Sequence, residues 1–232
     1  DNATAPSSNI ELSTFDAGEE AAWLMDAVDP TELSGSFDGA NPIAFSSLTV
    51  GDWTAGSNAL AAEYIVGFLD AWLPGTMLTP AELAAAAAAF VTGVPVLGID
   101  SAAYRASDPN LSYAYRDDVD GVVTFATAGL LDSTSFFQPF FNLLPGMPQL
   151  PDGVQASEVI KVTYDGQTDY YYGFSATDSG VYADDCQDPG SPTCSYTGNF
   201  EFDVRVPEPA TLALLGLGVA GIGYQRRKQS KG

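Results

Sequence analysis

Histidine is absent from the 232-residue sequence, and basic residues are scarce, with 8 Lys and Arg against 30 Asp and Glu. The first absence excludes His-based catalytic triads, His general bases and the usual zinc or copper ligand sets. The second leaves a formal charge of −22, a field that repels DNA, RNA and anionic lipid headgroups and so excludes nucleic acid as a partner. No Ser-x-x-Lys, Gly-x-Ser-x-Gly or Gly-x-x-x-x-Gly-Lys-[Ser/Thr] phosphate loop is present, so the common serine-nucleophile and P-loop signatures are missing as well. No repeat occurs at solenoid or propeller spacing. What is present is a chain 46% hydrophobic and 12% aromatic, too apolar for a disordered acidic polymer and long enough to bury a core.

Along the chain, Ile10 to Ser13 reads as a short strand, and Asp16 with Glu19 as a capping box for a helix ending before Pro30. Gly35 to Pro42 reads as turns and Ile43 to Val50 as a strand. Ser57 is expected to cap a helix in which Leu60, Ala61, Tyr64, Ile65, Phe68, Leu69 and Trp72 form one apolar stripe. Thr79-Pro80-Ala81-Glu82 combines an N-cap, a proline at the first helical position and a reciprocal glutamate, and opens an alanine-rich helix through Phe90. From Leu111 the period changes to two. Leu111 to Arg116 and Val122 to Ala128 form one expected hairpin, and two runs around Asp165-Gly166 form another. Ser133 to Leu144 reads as a short aromatic helix, and Asn199 to Val206 as a final strand with Phe200, Phe202, Val204 and Val206 inward.

The end of the chain has a separate pattern. Val206-Pro207-Glu208-Pro209 precedes a 15-residue apolar run, Ala210 to Tyr224, and then Arg226, Arg227 and Lys228. As a helix the run would extend about 22 Å, short of the roughly 30 Å of a bilayer core, and Gly216, Gly218, Gly221 and Gly223 weaken it further. Lipid would still force helix on it, because unpaired amides cost more than poor propensity. The three bases would remain cytoplasmic, leaving the preceding chain outside the inner membrane, while Pro207 and Pro209 favour the extended backbone a protease binds. Tripeptide, apolar segment and basic end together resemble the PEP-CTERM sorting signal of Gram-negative bacteria.

The resemblance implies an address and no activity: export, a transient inner-membrane intermediate, processing by an exosortase, and delivery to the cell surface or extracellular matrix of a biofilm. Stretches such as Ser46 to Trp53, Ser107 to Tyr113, Leu150 to Val159 and Phe174 to Gly180 also look like an uncharacterised group of PEP-CTERM proteins frequent in cyanobacteria. Before Pro207 the chain carries 29 acids against Arg105, Arg116, Lys161 and Arg205, so loss of the tail makes the protein more acidic still. Asp1 is expected to be the start of a mature or trimmed form, or of a fragment.

Cys186 and Cys194 bracket a loop rich in proline and glycine, and the oxidising location that the tail implies makes a disulfide the expected reading, contributing about 2.5 kcal/mol by loop entropy. A two-thiolate metal site would need two further soft ligands that the chain lacks. Asp117, Asp118 and Asp120 with Gly121 partly resemble a calcium loop but lack the distal bidentate glutamate; the same residues suit a solvated turn in an acidic protein. A two-carboxylate hydrolase is the enzymatic alternative, and with so many acids some pair will always meet its spacing. Tyr170, Tyr171 and Tyr172 with Trp53 and Trp72 could line a sugar-stacking surface, or alternate between core and solvent.

The expected fold is α+β, an antiparallel sheet from the C-terminal half packed on helices mainly from the N-terminal half, with a C-terminal hydrophobic sorting helix. Residues 1–206 form the expected extracytoplasmic domain and 207–232 the sorting tail. The expected function is that of an exported, non-enzymatic surface or matrix protein, with no cofactor unless calcium, and with exosortase, the inner membrane transiently and extracellular polysaccharide as partners. A carbohydrate-active hydrolase or a calcium-dependent glycan-binding module is the alternative.

Overall fold

Ten strands and five α-helices make up the computed structural model, which describes residues 10–12, 20–37, 41–117, 121–130, 132–143, 147–182 and 196–204. The strands form two antiparallel sheets. The six-stranded sheet has the order β1 (Ile10–Glu11), β4 (Asn110–Arg116), β5 (Val123–Leu130), β10 (Tyr196–Val204), β9 (Thr177–Tyr182), and β6 (Ala156–Ser157) also pairs with β5. β4 pairs with β5 only as far as Ala128, and β6 takes Gly129 and Leu130. The four-stranded sheet has the order β2 (Glu32–Phe37), β3 (Asn41–Ser46), β7 (Ile160–Tyr164), β8 (Gln167–Tyr171).

The α+β class is as expected, but the single C-terminal sheet is corrected to two. A hairpin from the first 46 residues, β2 with β3, completes the sheet that β7 and β8 begin. The second half of its first strand, from Gly35 to Phe37, lies in a stretch read from sequence as turns, because Ser34, Gly35 and Ser36 supply no apolar alternation. The two sheets bury one layer between them, with Ile43, Phe45, Ile160, Val162 and Tyr164 from one and Leu111, Val123, Phe125 and Val204 from the other. Phe45 meets Phe125 edge-on at 5.2 Å between ring centroids, the favoured arrangement of aromatic quadrupoles. Gly129 is required where it stands. A Cβ there would lie 2.6 Å from the Phe200 ring and 2.9 Å from the Ala156 carbonyl oxygen.

The second core is helical. α2 (Val50–Trp72) starts at Thr49, whose hydroxyl accepts the Asp52 amide while the Asp52 carboxylate accepts the Thr49 amide. The helix is broken at residues 55–58, where Gly56, Ser57 and Asn58 all have positive φ. Ser57 is therefore not the cap that its sequence position suggested. Beyond the break, Leu60, Ala61, Tyr64, Ile65, Phe68 and Leu69 are buried as the stripe requires. α3 (Pro80–Thr92) begins with the expected capping box between Thr79 and Glu82, a device worth about 1 kcal/mol. α5 (Thr134–Phe141) brings Phe137, Phe140 and Phe141 to the same cluster, and α1 (Glu20–Leu24) and α4 (Ala102–Arg105) close it. α1 is only five residues long and ends well before Pro30.

Tyr64 is the hub of this layer. Its ring meets Trp53, Phe90, Phe137, Tyr172 and Phe174, and its hydroxyl donates to the Ser157 carbonyl at 2.9 Å. Each of the three tryptophans spends its indole N–H on a distant partner: Trp23 on Leu48, Trp53 on Ser107 and Trp72 on Gln155. These bonds satisfy polar atoms that burial would otherwise leave unpaired, and they tie helices to connecting segments far away in sequence.

Candidate functional site

Charge is enclosed by the fold most fully where the start of α2 meets the outer face of the four-stranded sheet. Ser46, Lys161 and Tyr170 stand in one cross-strand row of β3, β7 and β8. Their neighbours Phe45, Val162 and Tyr171 point the other way, into the layer between the sheets. Asp52, placed by its role in the Thr49 cap, projects onto this row. Its Oδ1 accepts from Lys161 Nζ at 2.8 Å and from Tyr170 Oη at 2.7 Å, and its Oδ2 accepts from the Thr49 amide at 2.9 Å.

Only 8% of the Asp52 side chain is exposed, against 28% of that of Lys161. Burial pulls the Asp52 carboxyl upward, but the bonds from Lys161, the Thr49 amide and Tyr170, with the lysine's charge, outweigh it and hold the group below the usual carboxylate range. The same contact acts in reverse on Tyr170, where burial first and then the Asp52 carboxylate push the phenol far above its ordinary range. The carboxylate is thus kept ionised and the phenol kept neutral. Both oxygens of Asp52 are occupied by the chain's own donors, so the cluster behaves as a clamp between helix start and sheet. Sequence reading named Lys161 and Tyr170 separately and did not join them to Asp52, because Lys161 lies 109 residues from Asp52.

The residues singled out from sequence fare differently. Asp117 follows β4, where its amide donates to the Val122 carbonyl and its carbonyl accepts the Gly121 amide, closing the β4–β5 turn. Asp118 and Asp120, the other two carboxylates of the expected calcium turn, lie outside the described residues, as do Cys186 and Cys194. Among the described residues no group of three or more Asp, Glu, Cys or His is placed to hold a metal ion.

The proposed stacking surface is corrected by packing. Trp53 is fully buried, Tyr171 packs between the sheets, and Tyr172 lies against Tyr64 and Phe174 in the helical core. The two tyrosines are half-buried because alternation along β8 and the segment after it sends successive residues to different cores.

Val206, Pro207, Glu208, Pro209, Arg226, Arg227 and Lys228 lie outside the described residues, and so does the apolar run. Among the described residues no helix is long and apolar enough to cross a membrane. β10 ends at Val204, with Phe200 and Val204 buried. Immediately after it, residues 205–228 match the PEP-CTERM protein-sorting motif. No curated protein and no solved structure matches the chain. The sorting match supports an exported protein addressed to an exosortase, and it covers the same span in which tripeptide, apolar run and basic end follow one another.

Proposed function

We propose that the chain is a cell-surface or extracellular-matrix protein whose body acts without catalysis after an exosortase has processed the tail near Pro207-Glu208-Pro209. The sorting match at residues 205–228 carries this reading. On it, Arg226, Arg227 and Lys228 hold the tail's end in the cytoplasm while the apolar run keeps the protein at the inner membrane long enough to be cut. The body is then released with 29 acids against four bases, soluble and self-repelling unless cations screen it.

Support for a non-catalytic body comes from the use of its enclosed charges. A catalytic carboxylate needs a free oxygen facing substrate, whereas both Asp52 oxygens are engaged by the fold.

The reading is tested by replacing Pro207, Glu208 and Pro209 together with alanine and following the protein through cell fractionation. The unaltered protein is expected outside the inner membrane and the variant held in it. Equal distribution of the two removes the exosortase from the account.

A further inference from the structure

The outer face of the six-stranded sheet is built unlike its inner one. Inward go Val123, Phe125, Phe200 and Val204, all buried. Outward, the register aligns two rows across β4, β5 and β10: Tyr113, Ala126 and Glu201 in one, Tyr115, Thr124 and Asp203 in the next. The central strand contributes only small side chains to these rows, which leaves room for a ring from β4 to lie over it. Tyr113 does so. Its hydroxyl reaches across β5 and donates to Glu201 Oε2 on the far strand, and Ala126 beneath is fully buried.

Tyr115 follows two residues on, with ring centroids 6.2 Å apart and planes inclined by 28°, close to the roughly 6.8 Å repeat of same-face residues on a strand. Thr124 donates to Asp203 Oδ1 at 2.8 Å. Tyr115 is 42% exposed, and Glu201 and Asp203 are exposed as well. Neither row carries a positive charge.

We propose that this face is a binding platform for a neutral polysaccharide. Two nearly parallel tyrosine rings offer an extended apolar surface to the C–H faces of successive sugar rings, and such rings contribute area at little cost in side-chain entropy. Glu201 and Asp203 supply carboxylate acceptors for sugar hydroxyls, the stronger kind of hydrogen bond, and each is already oriented by a bond from its own row. The choice of a neutral polymer follows from charge. With −22 overall and no base in either row, the face repels anionic glycans, nucleic acid and acidic lipid. The platform goes beyond the surface-protein reading and stands without it: it is read from the folded body alone, so a failure of binding leaves export untouched and a failure of export leaves the platform untouched.

Affinity electrophoresis of the full chain in mild non-ionic detergent tests it, in native gels cast with hydroxyethyl cellulose, dextran or galactomannan and with alginate as the anionic control. Retardation is expected in at least one neutral gel and not in alginate. Tyr115→Ala is expected to weaken it about five- to tenfold, and Tyr115→Phe, which keeps the ring, to retain most of it. A thermal melt confirms that both variants fold; should Tyr115→Ala not, Glu201→Gln, an exposed change expected to weaken binding about threefold, takes its place. Absence of retardation in all three neutral gels, equal retardation of Tyr115→Ala, or retardation confined to alginate overturns the proposal. So does a concentration-dependent dimer abolished by Tyr115→Ala, since a second copy of the chain would then occupy the face.

Discussion

Asp52 and Glu201 each accept a tyrosine hydroxyl from a strand distant in sequence, and they are built to different ends. Asp52 accepts from Tyr170 inside a nearly closed cluster, with Lys161 and the Thr49 amide filling its remaining positions. Glu201 accepts from Tyr113 on an exposed sheet face, with no cation in its row and an exposed tyrosine beside it. Burial and full hydrogen bonding make the first a structural clamp whose removal leaves orphaned donors. Exposure makes the second cheap to alter for the fold and available to a ligand. The same pair of residue types thus serves stability in one place and recognition in the other, and the surroundings decide which.

The sharpest way to break the comparison is to delete each carboxylate. Asp52→Ala removes the acceptor for Lys161, Tyr170 and the Thr49 amide together and is expected to cost about 3 kcal/mol in urea unfolding. Glu201→Ala is expected to cost less than about 0.5 kcal/mol. Equal losses would place the two sites in one class.

Acid sharpens it next. Because the Asp52 pKa is depressed on folding, its contribution is fully present above the ordinary carboxyl value of 3.8 and is lost as pH falls below it. The unaltered protein is expected to lose more stability than Asp52→Asn between pH 4 and pH 2, measured as the difference between their unfolding midpoints.

Removing single hydroxyls gives a smaller effect. Tyr170→Phe is expected to cost about 1 kcal/mol and Tyr113→Phe a few tenths, read from urea midpoints.

The smallest signal is spectroscopic. Tyr64, Tyr113 and Tyr170 all have phenols raised well above their ordinary value, by burial first and by nearby carboxylates second. An ultraviolet titration is expected to show these three ionising well above the ordinary phenol range, with stability declining above pH 10 as the unfolded chain gives up protons that the folded one retains.

Local devices were legible in the sequence because their causes are local. Thr79 and Glu82, three residues apart, form the capping box as read, the stripe from Leu60 to Leu69 is buried as one face, and Asp165-Gly166 closes a two-residue turn with Tyr164 paired to Gln167. What escaped depends on partners. β2 exists because β3 offers it a complete register from Glu32 to Phe37, although its own side chains are mostly small and exposed. The break in α2 rests on three consecutive left-handed residues, only one of them glycine, and composition does not announce it.

Neither tyrosine–carboxylate pair could be read in advance. Tyr170 lies 118 residues from Asp52, and Tyr113 lies 88 from Glu201. Sequence offered Tyr170 to Tyr172 with Trp53 and Trp72 either as a sugar surface or as rings alternating between core and solvent. The fold buries Trp53 and half-buries the three tyrosines against its two cores, and the sheet register exposes Tyr115 beside the half-buried Tyr113.

The central claim is that the final segment is an address removed on the far side of the inner membrane. Intact mass measurement of the native protein recovered from outside the cells tests it most directly. The account predicts a polypeptide ending near Pro207-Glu208-Pro209, without Arg226, Arg227 and Lys228. A native protein found only in the cytosol, with its basic end still attached, would contradict it.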